Sequence, residues 1–237
     1  MSHKLNTIHG YFIKFCKVPA YVFRLIQTRG LRKAVSHLCS ELYSVREFVV
    51  TKHDMNSTVE LPPASIQITI AELTKNQIGD IEDICSVWPS EFGRWKPEHL
   101  KASLIHDLEN DNWCFFARHK GYVIGAVWVF IKDKILESCP IHHITGERIV
   151  GRVFIKPDAR GMGLSKLLYN HAVKIAIERK VPQLFGLTFP RRVASLKSKL
   201  SVGFKKIGLI TVKTCLGKET YNFLPYTNQK VTASTKE

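Results

Sequence analysis

The chain of 237 residues is long enough for one well-buried domain plus an extension, and its 45% hydrophobic and 23% charged residues exclude chain-wide disorder. Its formal net charge of +15 is spread along the sequence rather than gathered in one arm, and no recognition element accompanies it, so specific nucleic-acid binding is not expected. The six cysteines are scattered without a CxxC pair, which argues against a zinc site and a disulfide scaffold, and no metal is expected.

Residues 1–60 read as a basic, mainly helical extension. Leu31, Ala34, Val35, Leu38 and Leu42 fall on one helical face, a surface suited to packing on a domain, to a homodimer, or to an anionic membrane. Lys14, Lys17 and Arg24 interrupt the apolar run before it, so neither a signal peptide nor a spanning segment is expected, and the reading is a cytoplasmic protein. A short strand from Arg46 and a polar linker ending in Pro62-Pro63 complete the extension.

Residues 61–227 alternate strands with helices. A strand is predicted at Ile66–Ile70, helices at Leu73–Cys85 and Pro97–Leu108, and a hairpin of Trp113–Ala117 with Tyr122–Ile131 across Arg118-His-Lys-Gly. A strand at Glu147–Ile155 then precedes a strong helix at Gly163–Arg179, with Leu164, Leu167, Leu168, Ala172 and Ile175 as its apolar stripe. Strands at Gln183–Phe189, Lys206–Val212 and Tyr221–Leu224 and a helix at Arg192–Leu200 follow, before a polar tail at 228–237.

The stretch Val153-Phe-Ile-Lys-Pro-Asp-Ala-Arg-Gly-Met-Gly-Leu-Ser carries the most chemistry. A strand enters Pro157, and a loop with two glycines opens directly onto a helix. Unpaired N–H groups and the helix dipole favour an anion there, glycines allow its close approach, and Arg160 adds charge, which together make a pyrophosphate cradle. Turn glycines without a ligand remain the plain alternative. A dinucleotide fingerprint would need a third glycine where Lys166 stands, and a Walker A loop would need Gly-Lys-Ser/Thr, which is absent.

Arg160-Gly-Met-Gly-Leu-Ser after a strand and proline resembles the Arg/Gln-x-x-Gly-x-Gly/Ala motif of the GNAT acyltransferases, with Ser165 in the last small position. The Arg118-His-Lys-Gly hairpin and Val202-Gly-Phe-Lys-Lys-Ile-Gly extend the resemblance over about residues 66–225. It implies an α/β fold, a mixed and mostly antiparallel sheet flanked by helices. It also implies an N-acyltransferase that passes acetyl from acetyl-CoA to a primary amine of a small molecule by direct attack on the thioester. A longer-chain enzyme using acyl-CoA or acyl carrier protein near a membrane, and a non-catalytic CoA-binding module, are the alternatives. On this resemblance Val153, Phe154 and Ile155 would hold the acyl carbonyl and pantetheine arm, and Arg160, Gly161, Met162, Gly163, Leu164 and Ser165 the pyrophosphate.

Catalytic groups are less defined. Glu147 begins the central strand with the parity of Ile149, Gly151, Val153 and Ile155 if no bulge intervenes, and a partly desolvated carboxylate there is a candidate base. His142 and His143 lie nearby, and Trp88, Glu91, Phe92, Arg94 and Trp95 could wall the acceptor site or belong to the core. Many relatives place a tyrosine acid four residues before the glycine of a final Gly-Phe pair; here that position is Lys199.

Overall fold

A computed structural model describes residues 43–56, 58–61, 67–74, 76–87, 97–131, 134–137, 145–216 and 218–226. Residues 1–42, where a helical extension is expected from the sequence, His142, His143, the segment 88–96 and the tail lie outside the described residues, as do the dimer and membrane expectations placed on the extension. Packing divides the chain into two units. The smaller takes Met1–Arg46 and Val212–Thr220, where Arg46 and Glu219 form an ion pair at 2.5 Å. The larger takes Glu47–Thr211 and Tyr221–Glu237.

Eight strands form one sheet: β1 (Tyr43–His53), β2 (Thr69–Glu72), β3 (Trp113–His119), β4 (Tyr122–Ile131), β5 (Arg148–Ile155), β6 (Leu184–Thr188), β7 (Phe204–Cys215) and β8 (Lys218–Pro225). Their order is β2-β3-β4-β5-β6-β1-β7-β8. Pairing is antiparallel from β2 to β5 and again between β6 and β1, while β5 and β6 run parallel. The helices are α1 (Ile78–Val87), α2 (Pro97–Glu109), α3 (Lys134–Glu137), α4 (Leu164–Glu178) and α5 (Val193–Leu200). This is the mixed, mostly antiparallel α/β architecture expected from the sequence.

Strand alternation builds a core on both faces of the sheet. On β3, Cys114 and Phe116 join one cluster with Ile81 and Ile84 of α1 and Leu104 and Leu108 of α2, whereas Trp113 and Phe115 join Leu168, Ala172 and Val173 of α4. Because both sides are covered, β3 and β4 read as nearly continuous apolar runs. Each fully buried leucine or phenylalanine contributes roughly 1.5–3 kcal/mol. The turn between β3 and β4 has positive φ at both Lys120 and Gly121, the two-residue geometry that matches strand twist.

Two elements differ from the sequence reading. The first helix starts at Ile78 rather than Leu73: Leu73 N–H donates to Cys114 O beside the strand, and Gln77 Oε1 accepts from Thr74 N–H at 2.9 Å, closing a turn ahead of the helix. The strand assigned to the extension, β1, sits inside the sheet, with Val49 paired to Thr188 and Thr51 to Gly186. Its Val50 and Thr51 are fully buried, a status that only a distant partner strand confers.

Candidate functional site

The site is organised by a break between β5 and β6. They pair at Arg148 with Leu184, Ile149 with Phe185 and Val150 with Gly186, and the ladder stops there. Beyond it, β6 continues against β1 to Thr188, while β5 stays with β4 to Ile155. The cause is local. Trp128 faces Gly151 and Ala126 faces Phe154, so two steps along β4 match three along β5, and the extra residue is a bulge. Arg152 there has φ of 44°, and its side chain turns out to Asp107 at 2.7 Å and lies over Phe130. The bulge bends β5 away from β6 and opens a fork.

The same bulge breaks the parity argument for Glu147. Val150, Val153 and Ile155 all pack on the cluster with α4, so Val153 and Ile155 do not share a face with Ile149 and Gly151. Glu147 is buried, with 3% exposure, just before β5. It lies three residues, about 10 Å, before the last ladder pair, toward the strand ends away from the glycine loop.

At the other end of β5, Lys156 N–H donates to Ile124 O at 2.9 Å, the last tie to β4. Pro157–Ala159 then make one 3₁₀ turn, and Gly161 and Gly163 adopt φ of 85° and 75°, a conformation open to glycine and strained for other residues. Gly163 is the N-cap of α4, with no side chain capping it. Lys166 and Leu167 donate back to Gly163 O, whereas the N–H groups of Gly161 through Ser165 have no backbone acceptor among the described residues. A Cβ on either glycine would meet no atom within 4 Å, so open space lies above the loop. Five successive donors, a helix N-terminus and the exposed Arg160 beside that space fit an anionic ligand. Leu164 anchors the loop: it is buried, and its Cδ2 lies 3.1 Å from where a Cβ on Gly125 would stand.

The structure therefore brings Val153, Phe154, Ile155 and Arg160–Ser165 into one continuous edge running from the fork to the helix. Met162 is exposed there. A residue whose role sequence reasoning missed lies at the closed end. Lys199 of α5 is 1% exposed, and its Nζ donates to Thr188 Oγ1 at 3.0 Å, Leu187 O at 3.1 Å and Val150 O at 3.4 Å, bridging both prongs. Burial lowers its pKa to about 7. Tyr169 of α4 lies beside it, with its ring 5.4 Å from Nζ and its hydroxyl 3.1 Å from Ser195 Oγ; burial raises that phenol to about 12. The sequence signals were its place four residues before Gly203, where the resemblance expects a tyrosine, and a lysine amid the apolar positions Leu196, Leu200 and Val202. His171 packs edge-on against Phe115, and burial lowers its pKa, which fits a core histidine.

A pocket of about 340 Å³ lined by His53, Lys52, Asp54, Pro182, Gln183 and Lys205 lies at the opposite end of β6, away from the loop. Among the described residues no cluster of His, Cys, Asp or Glu could hold a metal ion, and no helix is long and apolar enough to cross a membrane.

Known proteins share this fold. The fold is similar to that of a GNAT-family acetyltransferase from Colwellia psychrerythraea, at 18% identity and TM-score 0.50, with 76% of this chain and 59% of that one covered. It is also similar to an acetyltransferase of the GNAT family from Novosphingobium aromaticivorans, at 16% identity and TM-score 0.50, covering 75% and 66%. A conserved protein of unknown function from Staphylococcus epidermidis aligns at 10% identity and TM-score 0.52, covering 76% and 65%. The chain thus spans less than two thirds of the length of each, and at these identities the likeness shows the fold. No curated protein matches the sequence. The model of the acetyltransferase (GNAT) family matches residues 81–197, a stretch that runs from α1 through the fork and the glycine loop to α5. Over residues 81–197 the chain therefore carries a GNAT acetyltransferase domain.

Proposed function

We propose that this protein is an N-acyltransferase that moves acetyl from acetyl-CoA to a primary amine of a small molecule by direct attack on the thioester. The observation that carries the reading is the fork opening onto the glycine loop: the β5–β6 ladder ends at Val150, short of Val153–Ile155, and open space lies above Gly161 and Gly163 at the start of α4. Acetyl-CoA would supply an activated acyl group on a thiol leaving group, with its pyrophosphate held by Arg160, Gly161, Met162, Gly163, Leu164 and Ser165. Catalysis then rests on holding the two reactants together and stabilising charge at the carbonyl oxygen with strand N–H groups. Glu147 stands three residues below the fork and would take the amine's proton through solvent.

Isothermal titration of acetyl-CoA into wild type and Gly163→Trp tests the donor site. Tryptophan at φ of 75° fills the open space, so the folded variant should lose binding that wild type shows. Absence of saturable binding to wild type would refute the acetyl-CoA assignment. A panel of primary amines, among them a polyamine, an aminoglycoside and an amino acid, then identifies the acceptor class by thiol release.

A further inference from the structure

Lys199 places a primary amine of the chain itself at the closed end of the fork. Its Nζ donates to both prongs, to Val150 O of β5 at 3.4 Å and to Leu187 O and Thr188 Oγ1 of β6 at 3.1 and 3.0 Å. Val150 is also the last residue of β5 laddered to β6. On the donor reading the pyrophosphate lies at the glycine loop, so the acyl group is the end of the donor directed down the fork toward this amine. The fork from Ile155 to Val150 is five residues of strand, about 16 Å.

Every described partner of Lys199 is neutral: two carbonyls, one hydroxyl and the Tyr169 ring. Thr51 of β1 is engaged with Gly186 O, and the Tyr169 hydroxyl of α4 with Ser195. On its own helix Lys197 is exposed, and Arg192, the residue preceding α5, acts on Tyr169. No carboxylate among these holds the proton, and burial brings the amine to a pKa of about 7, so its nucleophilic neutral form is present at neutral pH. The neutral amine keeps two N–H donors for three acceptors, and the contact to give up is the longest, that to Val150 O. Lys199 is 1% exposed, so reagents in bulk solvent are kept off it and the fork is left as the way in.

We propose that Lys199 is a self-acylation site: acetyl-CoA held in the fork without an acceptor passes its acetyl group to Lys199 Nζ. This rests on the donor reading above. In the step, the Nζ lone pair bonds to the acyl carbon and the C–S bond breaks with its electron pair on sulfur. The surplus proton on nitrogen passes through solvent to sulfur, which leaves acetyl-lysine at position 199 and CoA as the free thiol. The product is a neutral amide with one N–H donor and no titratable proton. Its acetyl group fills the closed end of the fork, so the modified protein should transfer no further acetyl to an amine.

The test incubates wild type with acetyl-CoA and no acceptor, follows donor binding by calorimetry, and reads acetylation of each lysine by peptide mass spectrometry. One acetyl group is expected at Lys199, at a rate that rises with pH to about 7 and then levels, whereas exposed lysines go on gaining to far higher pH. Bound acetyl-CoA with Lys199 unmodified overturns the proposal and leaves the donor reading standing; no binding of acetyl-CoA overturns both. Gly163→Trp, which should lose the donor, should lower labelling of Lys199 by about 10²-fold while its exposed lysines label as in wild type. Equal labelling of Lys199 in the two proteins overturns delivery through the fork. Freed of CoA, the acetylated protein should also lack the rise in urea stability between pH 7 and pH 9 that a titrating Lys199 gives. An equal rise in modified and unmodified protein overturns the assignment to Lys199.

Discussion

Stability against pH offers a test of the buried lysine that needs no ligand. Lys199 has a folded pKa of about 7 against 10.5 for an ordinary lysine, with burial as the cause. Its folded pKa lies below the unfolded one, so between these values the unfolded chain binds more protons and stability rises with pH. Below pH 7 the cost of the buried charge is present in full; above it the cost is relieved by about 1.4 kcal/mol per pH unit. The gap from about 7 to 10.5 makes the whole effect about 5 kcal/mol. Lys199→Met has no such charge but leaves Val150 O, Leu187 O and Thr188 Oγ1 without that donor, a cost of about 1–3 kcal/mol for each group left unsatisfied. That cost does not vary with pH, so the difference between the proteins isolates the titration. Urea unfolding at 25 °C, followed by circular dichroism, should show wild type gaining about 2 kcal/mol on the variant between pH 7 and pH 9. A difference that stays constant over that range would show that Lys199 titrates as an exposed lysine and would refute the burial argument.

Other consequences are simpler to measure. Gly186→Ala places a Cβ 2.7 Å from Thr51 Oγ1 and 2.9 Å from Lys199 Nζ, and should cost about 1–3 kcal/mol in urea unfolding; wild-type stability would show that the fork is not crowded there. Leu104→Ala, at a fully buried position of α2, should lose about 2–5 kcal/mol. The Arg179 pair with Glu72 is partly exposed, so Glu72→Gln should change stability by no more than about 1 kcal/mol, and less at high salt.

The sequence makes the regular parts of this protein legible because their signals are local. The stripe on α4 and the turn at Lys120-Gly121 are written in spacing and residue type, and the loop glycines announce the positive φ that the structure shows. Leu167 and Ile175, read as core, are only half-buried, and Tyr169 and Val173 take their place, a small rotation set by what α4 packs against. The features that make the site depend on partners far along the chain. Nothing near residue 50 states that β1 will lie against β6, and nothing near Arg152 states that β4 will offer two residues where β5 has three. A bulge is a mismatch between two strands, so neither strand alone contains it. The parity of Glu147 with Val153 and Ile155 was conditional on an unbroken strand, and the bulge removes that condition.

The bulge and the lysine solve one problem between them. Parting two strands inside a sheet strips backbone groups of their ladder partners, and such groups must be satisfied when buried. Arg152 begins the separation and finds its own partner in Asp107, outside the fork. Val150 O and Leu187 O are served by Lys199, whose long stem reaches in over Gly186. A hydroxyl would satisfy one carbonyl, since it carries a single proton. An ammonium spans the gap with three. Lys199→Gln separates the hydrogen bonds that close the sheet from the buried charge that makes them pH-dependent. Its amide offers two N–H donors and should restore most of the stability lost in Lys199→Met, yet it carries no titratable proton and should restore none of the pH-dependent gain.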